Sequence, residues 1–264
     1  MNPDGTPPQT FHAPYRVRFD EAGPAGTLRT SGLLRYAQDV AWQHSEALGF
    51  DRAWYADRGL TWLVRGVEIG VVTPARMGIQ LDVTTAVLGY RKVWARRRSE
   101  VLLDDGTLSA WVHTDWLLID AVGRPTRVPA EISHVLAAPV FTTPLARVDL
   151  APPPADAFER SFRVRPQELD PLRHVNNATY LDWLEEAIED ASRAGETPAR
   201  EPAARPRNYR LEYAGAAEPG DDLQSIVWRD RAGWAQVIRR GSVELVRARA
   251  GELRSDELAE AAER

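Results

Sequence analysis

The chain contains no cysteine. That absence removes disulfides, thiol nucleophiles, iron–sulfur clusters and thiolate zinc sites together. It leaves the redox compartment open. Long apolar runs are missing too: nowhere do about 18 apolar residues follow one another, so no membrane-spanning helix is expected. The opening stretch MNPDGTPPQTFHAP lacks the apolar core of a secretion signal, which points to a cytoplasmic protein. Lysine is nearly absent, Lys92 being the sole one among 33 basic residues, a skew we attribute to codon bias. With 38 acidic residues the net charge is −5, which argues against a general nucleic-acid binder. What remains is globular: 44% of 264 residues are hydrophobic, enough for one large core or two modest ones.

Residues 1–13 are rich in proline, glycine and polar side chains and read as a flexible arm. Tyr15-Arg16-Val17-Arg18-Phe19 alternates like a short strand. From Leu33 the apolar residues 34, 37, 40, 41, 44, 47 and 48 keep helical spacing up to Gly49. Four strand-like runs follow, near 60–72, 79–89, 91–103 and 108–121, and Asp105-Gly106 marks the clearest hairpin. Residues 138–157 hold several prolines without periodicity and read as a linker. The order then restarts with a strand at 162–165 and a helix marked by Tyr180, Leu181, Leu184, Ala187, Ile188 and Ala191. After a Pro/Ala/Arg stretch at 196–206, strand-like runs lie near 208–214, 222–230, 233–240 and 242–249. Residues 251–264 read as a polar tail with an exposed helical end.

A shift of 147 positions lays Arg16-Val17-Arg18 on Arg163-Val164-Arg165, and Leu33, Leu34 and Tyr36 on Tyr180, Leu181 and Trp183. One strand–helix–sheet unit thus occurs twice, at 14–137 and at 158–250, giving an α+β fold. Each helix must bury its apolar stripe, and an antiparallel sheet with one apolar face is the surface available. The two sheets then join and the two helices pack as a pseudo-dimer.

Polar groups concentrate between strand and helix of the second unit, from Leu169 to Trp183. Free N–H groups at a helix start favour a developing negative charge. A carboxylate and an imidazole four residues apart, Asp170 and His174, can activate water beside such a place. The first unit carries Gly23 and Thr27 at these positions. Packing acts on both copies, whereas chemistry needs one. The plainer roles are a turn aspartate before Pro171, a capping or core histidine, and N-cap duty for Asn176 and Asn177. His44, on the apolar stripe of the first helix, reads as a satisfied core residue, and Glu185 and Glu186 as solvated or ion-paired.

The run His174-Val175-Asn176-Asn177-x-x-Tyr180-x-x-Trp183-x-x-Glu186, preceded by Asp170, resembles the active-site helix of hotdog-fold acyl thioesterases. The first half, with Leu33-Leu34-Arg35-Tyr36-Ala37-Gln38-Asp39-Val40-Ala41-x-x-His44, Gly59-Leu60-Thr61-Trp62 and Gly89-Tyr90-Arg91-Lys92, resembles the N-terminal repeat of acyl-ACP thioesterases. The resemblance implies a tandem double hotdog, each repeat a long helix packed on an antiparallel sheet. It implies release of a fatty acid from acyl carrier protein, with no metal or cofactor. Asp170 would activate water or attack directly, His174 would be its polar partner, and the amides around Val175, Asn176 and Asn177 would polarise the thioester carbonyl. Two positions depart from the family pattern: Leu172 replaces an Asn, and Ala216 stands where a Glu is common after Tyr213, with Glu218 nearby. These favour the simpler carboxylate-plus-helix arrangement of acyl-CoA thioesterases.

The family holds its acyl chain in the N-terminal repeat, so Trp62, Trp94, Trp111 and Trp116 are candidates for the acyl pocket. Aromatics on an inner sheet face are otherwise core. Arg91, Lys92, Arg96, Arg97 and Arg98 offer a basic surface to an acidic carrier, or a solvated strand face on which alternation separates Arg97 from its neighbours. The expected partner is an acyl chain on ACP, with CoA or a polyketide carrier as the alternative, and a homodimer is compatible with it. A non-catalytic acyl-binding or hydratase-like double hotdog is the alternative of another class.

Overall fold

The computed structural model describes residues 9–136, 139–140, 147–195 and 207–254. Helix α1 (Thr30–Ala47) buries Leu33, Leu34, Ala37, Val40, Ala41 and His44, the stripe that its 3.6-residue spacing predicts. Helix α4 (Thr179–Ala194) buries Tyr180, Leu181, Leu184, Ala187 and Ile188 in the same way. Two short helices, α2 (Arg52–Asp57) and α3 (Ala130–Leu136), lie between them. Neither was expected from the sequence.

Strands β1 (Thr10–Arg16), β2 (Thr61–Val71), β3 (Gln80–Arg91), β4 (Trp94–Leu103) and β5 (Leu108–Ile119) come from the first half. Strands β6 (Phe158–Arg163), β7 (Arg207–Tyr213), β8 (Asp222–Asp230), β9 (Gly233–Arg240) and β10 (Val243–Glu252) come from the second. All ten form one antiparallel sheet, ordered β1-β3-β4-β5-β2-β7-β10-β9-β8-β6. Each half uses the same internal order, reversed, and the halves join where β2 pairs β7, from Gly66 opposite Glu212 to Val71 opposite Arg207. Helix α1 packs on β1, β3, β4 and β5, α4 packs on β8, and the helices touch each other. Arg35 and Asp182, which the 147-residue shift superposes, meet across that contact at 2.9 Å. The buried side chains of both halves form one continuous core, running from Val17 and Leu34 through Ile69 and Tyr209 to Leu181 and Ile238.

Three expected boundaries move. The arm at 1–13 ends early: Thr10–Arg16 is an edge strand, Thr10 opposite Ala86 and Arg16 opposite Gln80, and residues 1–8 lie outside the described ones. Composition concealed this strand because Pro14 sits on its edge, where a missing N–H costs little. Within the expected linker, Val148 is buried and donates its N–H to Glu212 Oε2 at 3.0 Å, so the chain is docked on the sheet at this point. The tail begins later, since Gly251 and Glu252 still pair with Asn208 and Arg207. The stretch 196–206 and the expected helical end, 255–264, lie outside the described residues. The Asp105-Gly106 hairpin joins β4 to β5, with Gly106 at φ +83° and Asp105 Oδ1 accepting from Thr107 N at 2.9 Å. Among the described residues no helix is long and apolar enough to cross a membrane.

Candidate active site

The loop ahead of α4 is built by backbone bonds. Asp170 N donates to His174 O at 2.8 Å, Arg173 N donates to Asp170 O at 2.9 Å, and Leu169 bridges Val175. Arg173 takes the left-handed conformation, φ +64°, to close the turn. The Asp170 carboxylate is fixed on one side, where Oδ1 accepts from Leu172 N at 2.8 Å and His174 N at 3.3 Å. Among the described residues Oδ2 has no hydrogen-bond partner, and no bond links the carboxylate to the His174 imidazole. Asn176 Oδ1 accepts from Ala178 N at 2.9 Å, which satisfies one donor at the start of α4.

Two of the three expected amide donors are already engaged. Val175 N donates to Ala217 O at 3.0 Å and Asn176 N to Glu168 O at 2.9 Å. The first half makes the same bonds, Leu28 N to Ala75 O and Arg29 N to Glu21 O. They belong to the repeated scaffold, and the expectation that these two amides polarise a substrate is corrected. The Asn177 N–H has no partner among the described residues. Asn177 O is held by Tyr213 Oη at 2.9 Å, and Ala217 N donates to Tyr180 Oη at 3.1 Å. Burial pushes the Tyr180 hydroxyl up to about 12, and that of Tyr213 well above its ordinary value. Both rings therefore serve as neutral struts of the loop, a role legible only in their distance from it in the fold.

A cavity of about 700 Å³ opens at this loop and extends into the first half, a volume ordinary for a small-molecule site. Asp170, His174, Val175, Asn176 and Asn177 all line it, as do Leu172 and Ala216, the two departures from the family pattern. Asp170 is the only carboxylate among the described residues on its wall; Glu218 does not reach it. The first-half wall is aromatic and aliphatic, with Phe50, Tyr55, Tyr90 and Ile132 in a cluster against which Trp62 and Trp116 pack.

Trp62 and Trp116 line the cavity; Trp94 and Trp111 do not. Strand phase gives the reason. Trp116 stands opposite Ala95 and Val64, whereas Trp94 stands opposite Leu117 and Trp111 opposite Gly70 and Glu100. The second set lies on the other face of the sheet. There Trp111 covers Gly70 so closely that a Cβ would sit 2.3 Å from the indole. Phase also divides the arginines. Arg96 pairs with Asp115 at 2.7 Å and Arg98 with Glu100 at 2.7 Å, while Arg97 points inward and is buried. The expected basic surface is thereby reduced to exposed Arg91 and Lys92 at the β3–β4 turn.

The fold and this loop define a class: mixed α/β proteins with few helices on a large antiparallel sheet, similar to thioesterase hotdog structures. Residues 8–136 match the family model of the acyl-ACP thioesterase N-terminal domain and residues 152–239 that of the C-terminal domain. The chain belongs to the acyl-ACP thioesterase family. It is 23% identical over 194 residues to the chloroplastic acyl-[acyl-carrier-protein] hydrolase FATB2 of Cuphea viscosissima, covering 67% of this chain and 47% of that one. To the chloroplastic dodecanoyl-[acyl-carrier-protein] hydrolase of Cinnamomum camphora it is 23% identical over 198 residues, covering 69% and 51%. The chain thus spans about half the length of the curated relatives it matches. Among solved structures, one assigned as an oleoyl thioesterase from Lactobacillus plantarum superposes with TM-score 0.81 at 18% identity, covering 91% of this chain and 93% of that one. The 12:0-ACP thioesterase from Umbellularia californica superposes with TM-score 0.75 at 19% identity, covering 92% and 97%.

Proposed function

We propose that this protein is a cytoplasmic double-hotdog hydrolase, with repeats at 14–137 and 158–250, that releases a fatty acid or related acyl group from acyl-ACP. The observation that carries the reading is Asp170, the single carboxylate among the described residues on the wall of an otherwise largely apolar cavity of about 700 Å³. The acyl chain enters the first-half aromatic wall, which places the thioester carbonyl at the loop before α4. Asp170 Oδ2 accepts a proton from water, and the hydroxide oxygen bonds to the thioester carbon. The carbonyl oxygen, now negative, is met by the Asn177 N–H and the positive end of α4. Collapse breaks the carbon–sulfur bond, and the thiolate takes the proton from Asp170 directly or by way of His174. The products are the carboxylic acid and the carrier thiol, so atoms and charge balance.

Leu172 and Ala216 on the cavity wall support a site that works without polar side chains at these two positions and with one carboxylate, and this keeps acyl-CoA as the alternative carrier. The test is thiol release from matched acyl-ACP and acyl-CoA substrates. Release from acyl-ACP is expected, release from acyl-CoA alone would reassign the carrier, and no release from either would overturn the hydrolase reading.

A further inference from the structure

The first-half part of the cavity holds a charge that the scaffold does not require. Arg97, on the inner face of β4, is only 9% exposed and lines the cavity. Its hydrogen bonds among the described residues run through Nη1 alone, to His44 Nδ1 at 2.9 Å and Thr85 Oγ1 at 3.3 Å. Because a guanidinium has no acceptor, Nδ1 of His44 must be the acceptor, so the imidazole contributes no charge of its own. No carboxylate among the described residues pairs with Arg97, and burial lowers its pKa to about 10. Beside it, the Tyr90 hydroxyl is buried and has no hydrogen-bond partner among the described residues. A buried cation without an anion costs several kcal/mol, and a buried hydroxyl without a partner costs about 1–3 kcal/mol.

The second half shows what packing alone would ask for. On β9 the equivalent position is Gln236, opposite Val227 as Arg97 is opposite Val87. Gln236 Nε2 donates to Ser225 Oγ at 2.9 Å and to Trp183 O at 3.4 Å, the counterparts of Thr85 and of α1. A neutral amide therefore fills this place, fully buried and off the wall of the cavity, with only its Oε1 left without a partner among the described residues. The positive charge occurs only in the half that is given to the acyl chain.

We propose that Arg97 and Tyr90 form a receptor for a carboxylate at the end of the acyl chain remote from the thioester, so that the substrate is an ω-carboxyacyl thioester. Three strand spacings separate β4 from β7, so Arg97 lies about 14 Å or more across the sheet from the strand whose Tyr213 holds the reacting loop at Asn177 O. That span matches the far end of a medium-length chain rather than groups next to the carbonyl. A site built to bond a polar group rejects the analogue lacking it far more strongly than an apolar pocket rejects an extra methylene. The assignment of the reacting end rests on the hydrolase reading above; the assignment of Arg97 does not need turnover.

The experiment measures binding of two unhydrolysable ligands, the pantetheine amides of dodecanoic and dodecanedioic acid, by titration calorimetry on the full chain. The diacid derivative is expected to bind at least about tenfold more tightly. Y90F, which deletes only the hydroxyl, should cut that preference by about two- to tenfold, and R97Q, which installs the second half's residue, should abolish it. Y90F keeps the test open should R97Q fail to fold. Equal or tighter binding of the plain chain by the unmodified protein would overturn the proposal. The corresponding thioesters separate the two readings. Diacid preference without hydrolysis sinks the hydrolase and leaves the receptor, whereas hydrolysis favouring the plain chain does the reverse.

Discussion

The two halves contain one loop twice. Gly23 N bonds to Thr27 O as Asp170 N bonds to His174 O, Ala22 bridges Leu28 as Leu169 bridges Val175, and Gly26 turns at φ +70° as Arg173 does at φ +64°. Even the preceding turn repeats, with Glu21 and Glu168 each accepting from the amide three residues earlier, Arg18 and Arg165. Glu21 holds Tyr36 and Glu168 holds Trp183, positions the 147-residue shift superposes. Bonds present in both copies are architecture. What remains in one copy only is Asp170 with its two supporting amides, His174 and the open cavity wall, and these are the candidates for chemistry.

The largest effect is expected where the two loops differ in chemistry. Asp170→Asn should reduce thioester turnover by about 10²-fold or more, with an unchanged circular dichroism spectrum, since the amide oxygen still accepts from Leu172 and His174. The matching pair in the first half, G23D with T27H, should leave turnover as it was. Loss of activity in that pair, or retention in D170N, would remove the asymmetry on which the site rests.

The two halves share one core. Leu34 and Leu181 are fully buried, equivalent, and in the same cluster. Truncating either to Ala should cost about 2–5 kcal/mol and shift a single unfolding transition. Two transitions, each moved by only one of the variants, would show halves that fold independently.

The seam between the halves responds to acid. On β2, Glu68 loses solvation by burial, but His113 and the β7 residues Arg210 and Asn208 outweigh that and hold its pKa down at about 2, from an ordinary 4.5. The closest of these contacts is Arg210 Nε at 2.6 Å. A depressed carboxylate contributes stability that is complete above pH 4.5 and is lost as pH falls toward 2. E68Q should therefore be less stable by on the order of 1–3 kcal/mol at neutral pH and should lose less between pH 5 and 2, as chemical denaturation at each pH would read. Parallel pH profiles for the two proteins would detach Glu68 from the seam.

Period and repetition carried most of the architecture. The stripe from Leu33 to His44, the Asp105-Gly106 turn and the 147-residue shift are all visible in the letters, because helical spacing, left-handed glycine and duplication leave local traces. Helix α2 left only Asp51, whose side chain accepts from Trp54 N at 2.8 Å; six residues are too few to display a period. Alternation separated Arg97 from Arg96 and Arg98 but could not say which phase faced α1, and the same ambiguity mixed Trp94 and Trp111 with Trp62 and Trp116. The amides of Val175 and Asn176 were beyond reading, since their partners, Ala217 and Glu168, become neighbours only through the fold. Asp170 and His174 stood out because the other copy lacks them.

The smallest effect tests whether the two loops differ in strain as well as in chemistry. A left-handed conformation costs a non-glycine residue about 1–2 kcal/mol, and at position 26 the first half meets this with glycine, around which nothing lies within 4 Å. The second half places Arg173 there, exposed. Arg173→Gly relieves that cost but lets the unfolded chain gain entropy worth about 0.5–1 kcal/mol. The balance is a stabilisation of about 0.5–1 kcal/mol, readable as a higher denaturant midpoint at unchanged slope. Turnover measured on the same variant then decides what the arginine is for. If stability rises and turnover holds, the left-handed arginine is incidental to the loop. If stability rises while turnover falls, the second copy keeps a strained residue because the set of Asp170 and His174 depends on it, and the asymmetry between the halves extends from side chains to the backbone.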